Sequence, residues 1–392
     1  MIMQYRKDGL SALGFGCMRF PRKGAVTDMK QVEEQILHAI DCGINYFDTA
    51  YVYPGSEAAL GKVLKENGLR DKVKIATKLP HYLLKEEGDA QRYFEKELDR
   101  LCTDHVDYYL MHMLPDVNVW NNLCEKLHID EWIEEKKKNG EIGRIGFSYH
   151  GNSESFKALL DAYPWEFTQI QYNYMDEHSQ AGRSGLEYAA SKDIPVIIME
   201  PLRGGRLAVK LPKKADNMIS KHYPRKSPAE WALRWLWDQP GVSVILSGMN
   251  TMEMIDENVR IAESAEPFSM TKEEHDFIAD VREAINENVK VGCTGCSYCM
   301  PCPAGVDIPG SFRCYENSYI DGYITGLKEY IMCTTLRNQK STASLCVECG
   351  KCMQHCPQDI QIPSQLKNVK KRLEGNIYKI VAAVLKKRFP YD

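Results

Sequence analysis

The chain has 392 residues, which is too long for one average domain but suits a large barrel followed by a small second domain. Its net charge of -4 and isoelectric point near 6.2 argue against a nucleic-acid partner, which would favour a basic surface. No apolar run approaches the roughly 18 residues of a membrane helix, and the N-terminal stretch MIMQYRKDGL lacks the apolar segment of a signal peptide. We therefore expect a cytoplasmic protein without a membrane span.

Apolar runs and helical runs alternate along the first two thirds of the chain. The apolar runs predict eight strands: Leu13–Gly16, Ile44–Phe47, Val73–Lys78, Val106–His112, Glu141–Ser148, Phe167–Asn173, Ile194–Glu200 and Val242–Gly248. The segments with helical spacing are Thr27–Gly43, Ser56–Gly68, Ala90–Leu101, Trp120–Lys138, Ser153–Asp161, Gly185–Ser191, Pro228–Trp237 and Met252–Ala262. Eight strands that alternate with helices predict an α/β fold, the (β/α)8 or TIM barrel.

Polar residues end or follow three successive strands. Asp48 follows the run Ile44–Phe47, and Tyr53 lies on the loop beyond it. Lys78 and His112 end the next two strands. Each residue alone also fits an ordinary role, such as a loop cap, a packed aromatic, a solvated lysine or a core histidine. At the carboxyl end of a barrel they would meet, and a lysine with its carboxylate partner would lower the pKa of the tyrosine toward neutrality.

These four residues, within FDTAYVY, IATK and YYLMH, make the chain resemble the aldo/keto reductase family. The resemblance implies that Asp48, Tyr53, Lys78 and His112 form the catalytic tetrad. In that arrangement Tyr53 is the general acid, and Asp48 and Lys78 set its pKa. His112 would orient and polarise the carbonyl group of the substrate.

The same resemblance implies a nicotinamide cofactor, NAD(P)H, at the mouth of the barrel. Ser148 and Gln169 match positions that hold the nicotinamide carboxamide. Further cofactor contacts are expected at Gly16, Met18, Asn173, Met199, Leu202, Gly248 and Asn258.

The chain departs from the family pattern at two cofactor positions. Met199 stands where many members have an aromatic residue that stacks on the nicotinamide. Gly248 and Met254 stand where many have the Lys and Arg that grip the 2′-phosphate of NADP. A preference for NADP is therefore open, and the basic residues that could supply the charge from another loop are Arg203, Arg206 and Lys210.

Two runs of four cysteines lie near the C-terminal end. The first, CTGCSYCMPCP, contains Cys293, Cys296, Cys299 and Cys302, and the second, CVECGKCMQHCP, contains Cys346, Cys349, Cys352 and Cys356. The second run has the C-x2-C-x2-C-x3-C-P spacing of bacterial ferredoxins, and the first is one residue shorter between its last two cysteines. In a reducing compartment such runs indicate metal binding rather than disulfides. They predict two 4Fe-4S clusters, with a pair of zinc sites as the alternative.

In the ferredoxin arrangement the fourth cysteine of each run ligates the other cluster. One cluster would then be held by Cys293, Cys296, Cys299 and Cys356, and the other by Cys346, Cys349, Cys352 and Cys302. The segment between the runs is long and helical in pattern, so this part resembles the α-helical ferredoxin domains of larger oxidoreductases. Its other cysteines, Cys314 and Cys333, are expected to be buried thiols. The basic segment after Pro363 predicts a helix packed on the protein or, alternatively, on a membrane surface.

These features predict a barrel at 1–265, a helical linker at 266–290 and an iron–sulfur domain with a helical tail at 291–392. The favoured function is an oxidoreductase that interconverts a small carbonyl compound and its alcohol with NAD(P)H, while the clusters serve electron transfer. In one alternative the clusters feed a flavin or the barrel active site with electrons from a ferredoxin or flavoprotein partner. In another the barrel is regulatory and the clusters are structural, against which the complete tetrad argues. One barrel fold hosts many chemistries, so the substrate stays open.

Overall fold

The computed structural model describes residues 8–24, 26–150, 153–177, 180–209, 211–287, 289–293, 295, 298–320, 322–335, 340–356 and 358–388. Its strands, in chain order, are β1 (Leu13–Gly16), β2 (Arg22–Lys23), β3 (Val26–Thr27), β4 (Tyr46–Asp48), β5 (Lys74–Leu79), β6 (Val106–Met111), β7 (Ile142–Tyr149), β8 (Phe167–Gln171), β9 (Val196–Met199) and β10 (Val242–Ser247). β2 and β3 pair as an antiparallel hairpin, and the other eight strands form one closed parallel sheet. Its order is β1-β10-β9-β8-β7-β6-β5-β4, which confirms the predicted (β/α)8 barrel.

The inside of the barrel is filled by side chains rather than open. The sheet closes where β1 lies between β10 and β4, with Gly16 paired to Asp48. Buried side chains from six strands and the preceding turn form the interior: Leu10, Tyr46, Ala76, Tyr108, Leu110, Phe167, Ile197, Val244 and Leu246. Tyr108 stands edge-on to both Tyr46 and Phe167, at ring-centroid distances of 5.1 and 5.0 Å. A ligand site is therefore expected at the carboxyl ends of the strands.

The helices also follow the predicted alternation, with local differences. They are α1 (Met29–Asp41), α2 (Ser56–Glu66), α3 (Asp89–Leu101), α4 (Val117–Leu127), α5 (Ile129–Lys138), α6 (Ser153–Asp161), α7 (Gly182–Ser191), α8 (Arg206–Val209), α9 (Lys213–His222), α10 (Pro228–Trp237), α11 (Met252–Ala262), α12 (Lys272–Asn286), α13 (Ile308–Ile320), α14 (Tyr323–Tyr330), α15 (Ile362–Leu373) and α16 (Asn376–Arg388). The helix predicted at 120–138 is split into α4 and α5, because His128 adopts a left-handed conformation with φ of 49°. Helices α8 and α9, between β9 and α10, were not predicted. None of the described helices is long and apolar enough to cross a membrane.

Helix starts follow the capping residues in the sequence. Ser227 precedes α10, and its Oγ accepts a hydrogen bond of 3.0 Å from the backbone N–H of Glu230, with Pro228 at the first helical position. Thr251 caps α11 in the same way through the N–H of Met254, at 3.3 Å. These caps fix the start of the helix on each side of β10, the strand that closes the barrel against β1.

Two compact units make up the structure. The first is formed by the residues up to Val209 together with Ile219–Ile278, and the second by the rest of the chain. α12 begins in the first unit, where the Nη1 of Arg234 donates a hydrogen bond of 2.6 Å to Glu274. Burial raises the pKa of Glu274, but its bonds to basic side chains lower it by more, to about 2. The linker proposed for residues 266–290 remains a prediction.

The second unit is organised around α13, α14 and α15. Its core consists of Val306, Ile308, Phe312, Cys314, Tyr315, Leu327, Tyr330, Ile331, Ala343, Ile360, Ile362, Leu366, Val369 and Leu373. Gly326 lets α14 approach α13 closely, because a Cβ there would lie 2.5 Å from the backbone N of Ser318. Arg372 of α15 lies 3.7 Å from the centroid of the Tyr319 ring, and its Nε donates a hydrogen bond of 2.6 Å to the Oγ of Ser318. The first helix of the basic C-terminal segment is therefore part of this unit.

Candidate active site and cluster centre

Asp48 and Lys78 form a buried ion pair at the carboxyl ends of two neighbouring strands. β4 and β5 pair so that Asp48 lies opposite Ala76, two residues before Lys78. The Nζ of Lys78 donates hydrogen bonds to both carboxylate oxygens, at 2.7 and 2.8 Å, and to the carbonyl O of Thr49 at 2.6 Å. Burial lowers the pKa of Lys78, but the carboxylate of Asp48, together with Tyr53 and Cys17, raises it by more, so the ammonium group stays charged.

Tyr53, on the loop after β4, lies beside this ion pair. The Nζ of Lys78 is 5.1 Å from the centroid of the Tyr53 ring. The charge of Lys78 lowers the pKa of Tyr53, but burial and the carboxylate of Asp48 raise it by more. The expected fall of this pKa toward neutrality is therefore wrong for this structure, and the phenol keeps its proton at neutral pH. It can donate that proton, and the adjacent ammonium group can stabilise the phenolate that results.

The ring of His112 stands edge-on to that of Tyr53. Their centroids are 6.1 Å apart, and the ring planes make an angle of 89°. Burial lowers the pKa of His112 to about 3, with smaller contributions from the charges of Lys78, His150 and His81. The Nδ1 of His112 has no hydrogen-bond partner among the residues that the structure describes. A neutral imidazole at this position can orient a carbonyl oxygen by hydrogen bonding, without carrying a charge.

Sequence reasoning gave no role to three residues close to this group. His81 and Tyr82 follow β5, and the ring of Tyr82 lies 6.1 Å from that of His112. Burial lowers the pKa of His81 to about 4. Glu200 follows β9 with a left-handed φ of 53°, and its charge helps to raise the pKa of Tyr53. The signal was available, since each of them lies within a few residues of a strand end.

A second buried polar group lies behind the ion pair. The Oγ1 of Thr77 donates a hydrogen bond of 2.6 Å to Glu57, and the Nη1 of Arg100 donates one of 3.0 Å to the other carboxylate oxygen. Arg100 also bonds to the carbonyl O of Tyr51 at 3.2 Å and lies 4.3 Å from the centroid of that ring. These contacts connect α3 to the loop that carries Tyr53. No sequence motif indicated them.

Ser148 and Gln169, the residues expected to hold a carboxamide, lie side by side on β7 and β8. The Oγ of Ser148 accepts a hydrogen bond of 2.8 Å from the backbone N–H of Met113. The Nε2 of Gln169 contacts the sulfur of Met199 at 3.7 Å, whereas its Oε1 is buried and bonds to none of the residues described. A buried amide oxygen without a partner is unfavourable, and the N–H of a carboxamide would satisfy it. The pair therefore fits a nicotinamide.

Two other predicted cofactor residues already use polar atoms within the protein. The Oδ1 of Asn173 accepts hydrogen bonds of 3.0 Å from the N–H groups of Met175 and Asp176, and its Nδ2 donates one of 2.8 Å to the Asp176 carboxylate. The Nδ2 of Asn258 donates a hydrogen bond of 2.9 Å to the Oγ of Ser247. These bonds stabilise loops at the barrel mouth, and cofactor contact by either residue remains a prediction.

The remaining predicted cofactor residues lie at the ends of three neighbouring strands, β1, β9 and β10: Gly16, Met18, Met199, Leu202 and Gly248. Three basic residues were suggested as replacements for the missing Lys and Arg. Arg203 pairs with Asp176, at an N–O distance of 3.2 Å. Arg206 begins α8, and Lys210 lies outside the described residues.

The second unit brings both cysteine runs to one core. Six of these cysteines pack half-buried against it: Cys293, Cys299, Cys302, Cys346, Cys352 and Cys356. Cys296 lies outside the described residues. Burial raises the pKa of Cys352, and the charges of Cys346, Cys302 and Cys349 raise it further. These four thiols lie close enough to act on one another electrostatically, and they are the set predicted for one cluster.

The loop of the second cysteine run is shaped by left-handed residues. Glu348 and Gly350 have φ angles of 57° and 73°, on either side of Cys349, which is exposed. Cys314 is buried within α13, as expected of an ordinary thiol. The side chain of Cys333 lies outside the described part of the structure.

Comparison with known proteins agrees with both units. Residues 12–283 match the model of the aldo/keto reductase family, and residues 292–360 match that of a 4Fe-4S dicluster domain. The chain is 26% identical over 296 residues to "Uncharacterized oxidoreductase YrpG" of Bacillus subtilis, covering 65% of this chain and 88% of that one. It is also 26% identical over 301 residues to L-galactose dehydrogenase of Arabidopsis thaliana, covering 72% of this chain and 92% of that one.

Solved structures share the fold of the first unit. An aldo-keto reductase from Klebsiella pneumoniae, in complex with NADPH, is similar with a TM-score of 0.59 at 24% identity, covering 72% of this chain and 96% of that one. The family match extends over the whole closed barrel, and the dicluster match includes both cysteine runs. The chain therefore belongs to the aldo/keto reductase family and is an oxidoreductase with a C-terminal iron–sulfur domain of the 4Fe-4S dicluster type.

Proposed function

We propose that the chain reduces the carbonyl group of a small substrate, or oxidises the corresponding alcohol, with a nicotinamide cofactor at the barrel mouth. The observation that carries this proposal is the position of Lys78, which is bonded to Asp48 and lies 5.1 Å from the centroid of the Tyr53 ring. A proton donor, an adjacent positive charge and a neutral imidazole are the parts that carbonyl reduction requires. The similar structure from Klebsiella pneumoniae was solved with NADPH, which supports this cofactor.

Each residue has one part in this reaction. Tyr53 gives its proton to the carbonyl oxygen during reduction and accepts one from the alcohol in the reverse direction. Lys78, kept charged by its ion pair, stabilises the phenolate, and His112 orients the carbonyl oxygen toward the phenol. Ser148 and Gln169 would hold the nicotinamide carboxamide. When bound, the nicotinamide supplies the hydride that adds to the carbonyl carbon.

A second candidate function, electron exchange with a partner protein, is favoured by the surface of the cluster domain. Cys349 is exposed, and the neighbouring Val347 is 69% exposed. A cluster ligand beside an exposed apolar side chain suits brief contact with a ferredoxin or a flavoprotein. A nicotinamide transfers two electrons together whereas a 4Fe-4S cluster passes one, so a flavin in the barrel or in the partner would be needed to couple them.

Turnover assays on anaerobically purified protein distinguish the two functions. For the first, we expect a panel of small aldehydes and ketones to be reduced with NADPH or NADH and without ferredoxin. Loss of one cluster in Cys349→Ser should leave that rate unchanged. For the second, reduced ferredoxin should support turnover without nicotinamide, the same variant should lose it, and mass spectrometry should find a flavin in the protein or its partner. Turnover under neither condition would contradict both.

A further inference from the structure

Arg19 lies between two loops at the rim of the barrel. It ends the short 3-10 helix Cys17–Arg19, which directly follows β1. Its Nη1 donates a long hydrogen bond of 3.5 Å to the carbonyl O of Gly204, in the loop after β9. A Cβ built on Gly248, directly after β10, would lie 3.1 Å from the Cδ of Arg19. The side chain thus spans the ends of three neighbouring strands, since the barrel order is β1-β10-β9.

Both loops can approach Arg19 because they present glycine. A Cβ on Gly204 would lie 3.0 Å from the Nη2 of Arg19. A Cβ on Gly248 would also lie 3.5 Å from the Cγ of Arg19 and 3.6 Å from the Cβ of Arg19. A side chain at Gly204 would crowd the guanidinium group, and one at Gly248 would crowd its aliphatic stem. The two glycines therefore leave room for the guanidinium group of Arg19 to lie over this part of the rim.

The charge of Arg19 is available for a ligand. Within the described ranges no carboxylate pairs with it, whereas its neighbour Arg203 is bound to Asp176 at 3.2 Å. An exposed guanidinium group offers several N–H donors in a planar fork, an arrangement that matches the oxygens of a phosphate group. Because glycine leaves no side chain between the guanidinium and the loops, a phosphate can also approach their backbone.

We propose that Arg19 binds a phosphate group of the dinucleotide cofactor, either a 2′-phosphate or the central diphosphate. This inference rests on the proposed nicotinamide dependence. In the barrel order β4 and β9 are three strand spacings apart, about 14 Å. A molecule that extends from Asp48 to the loop of Gly204 must cover that distance. An extended dinucleotide is long enough to do so, whereas a small carbonyl compound is too short. Arg19 thus supplies the positive charge that Gly248 and Met254 lack.

Calorimetric binding of NADP+ and NAD+ to the full, cluster-containing chain tests this proposal without turnover. Arg19→Gln removes the charge and keeps an amide of similar length. We expect it to weaken binding about 10- to 100-fold, the loss typical of one charge-assisted contact. Arg22→Gln is the matched control, because Arg22 is an exposed arginine three residues further on and should bind both nucleotides as the unchanged chain does. Cluster absorbance and circular dichroism verify that both variants fold.

The two nucleotides separate the possible outcomes. A loss confined to NADP+ supports contact with the 2′-phosphate, and an equal loss for both supports contact with the diphosphate. In either case the affinity of the unchanged chain should fall more steeply with added salt than that of Arg19→Gln. Unchanged affinity for both nucleotides in Arg19→Gln would overturn the proposal. If the unchanged chain bound neither nucleotide, the proposed nicotinamide dependence itself would fail.

Discussion

Thr77 and Lys78 are consecutive residues of β5 whose side chains belong to two different polar groups. Lys78 bonds to Asp48, whereas the Oγ1 of Thr77 donates a hydrogen bond of 2.6 Å to Glu57. Successive side chains of a strand project to opposite faces, so one strand supports both groups. A substitution in the polar group around Glu57 should therefore also affect the active site, through β5 and the loop at Tyr51–Tyr53.

Arg100→Met should lower the free energy of unfolding of the barrel by about 1–3 kcal/mol, because Glu57 would stay buried without its cation. We expect a smaller loss of stability than for a fully buried ion pair, because the side chain of Arg100 is 37% exposed. Urea unfolding followed by tryptophan fluorescence measures it, since all six tryptophans lie within the barrel sequence. Lys62→Met, which removes an exposed pair with Glu66, is the control and should cost less than about 0.5 kcal/mol. Equal losses in the two variants would contradict the role of Arg100.

Tyr53→Phe should lower kcat by about 10²- to 10⁴-fold, because it removes the proton donor and leaves the ring in place. Cofactor affinity should stay within about twofold, since the hydroxyl group is not assigned to the cofactor. Steady-state kinetics and a binding titration measure the two quantities. Tyr82→Phe removes a hydroxyl from the nearby exposed ring and should leave kcat nearly unchanged. Near-normal turnover by Tyr53→Phe would contradict the assignment of Tyr53 as the proton donor.

Acid should destabilise the barrel through His81 and His112. Their pKa values are about 4 and about 3 in the folded protein, below the ordinary 6.5. Between pH 6.5 and these folded-state values the unfolded chain binds more protons, so the stability is greatest above pH 6.5 and decreases as the pH falls from 6.5 toward them. Each group gives a slope of up to about 1.4 kcal/mol per pH unit between about pH 6 and 4.

His112→Asn should reduce this slope, because the variant no longer carries the group that titrates. Urea unfolding at a series of pH values from about 7 to 4 measures the change. His128→Asn is the control, since His128 is exposed and asparagine tolerates its left-handed conformation. A slope that is the same in both variants and in the unchanged chain would show that His112 does not titrate between the folded and unfolded states.

The cluster assignment predicts about eight iron and eight acid-labile sulfide per chain after anaerobic purification. Cys352→Ser should reduce both to about four, because it removes one ligand of a single cluster. Cys314→Ser changes a buried thiol outside the motifs and should keep the full content. Stoichiometric zinc without sulfide would contradict the assignment, and equal iron loss in both variants would indicate damage to the core of the unit instead.

The parts of the fold that the sequence predicted are those fixed by local pattern. Most barrel strands contain a short apolar run, and polar residues such as Asp48 and Lys78 lie at or next to the strand ends. The same local rule missed the break at His128, because histidine is compatible with a continuous helix and only its left-handed φ of 49° divides α4 from α5. Residue type alone does not specify that conformation.

The interactions that the sequence did not predict join residues far apart in the chain. Glu57 and Arg100 are separated by 43 positions, and their contact exists only because α2 and α3 pack together. The pKa of Tyr53 was misjudged for a related reason: the composition of the site indicated its charges, but not the burial that opposes them. Arg19 gave no signal in sequence, since its neighbours Gly204 and Gly248 come from distant loops.

The contribution of α15 to the core of the second unit also bears on the order in which the protein matures. Ile362, Leu366, Val369 and Leu373 all lie in that core, against which the half-buried cysteines pack. The cysteine runs are synthesised earlier, so they leave the ribosome before the helix that completes their surroundings. The barrel needs only the chain up to Ser247 to pair β10 with β1. During synthesis the barrel can therefore close first, and stable cluster insertion should wait until the last core helix has emerged.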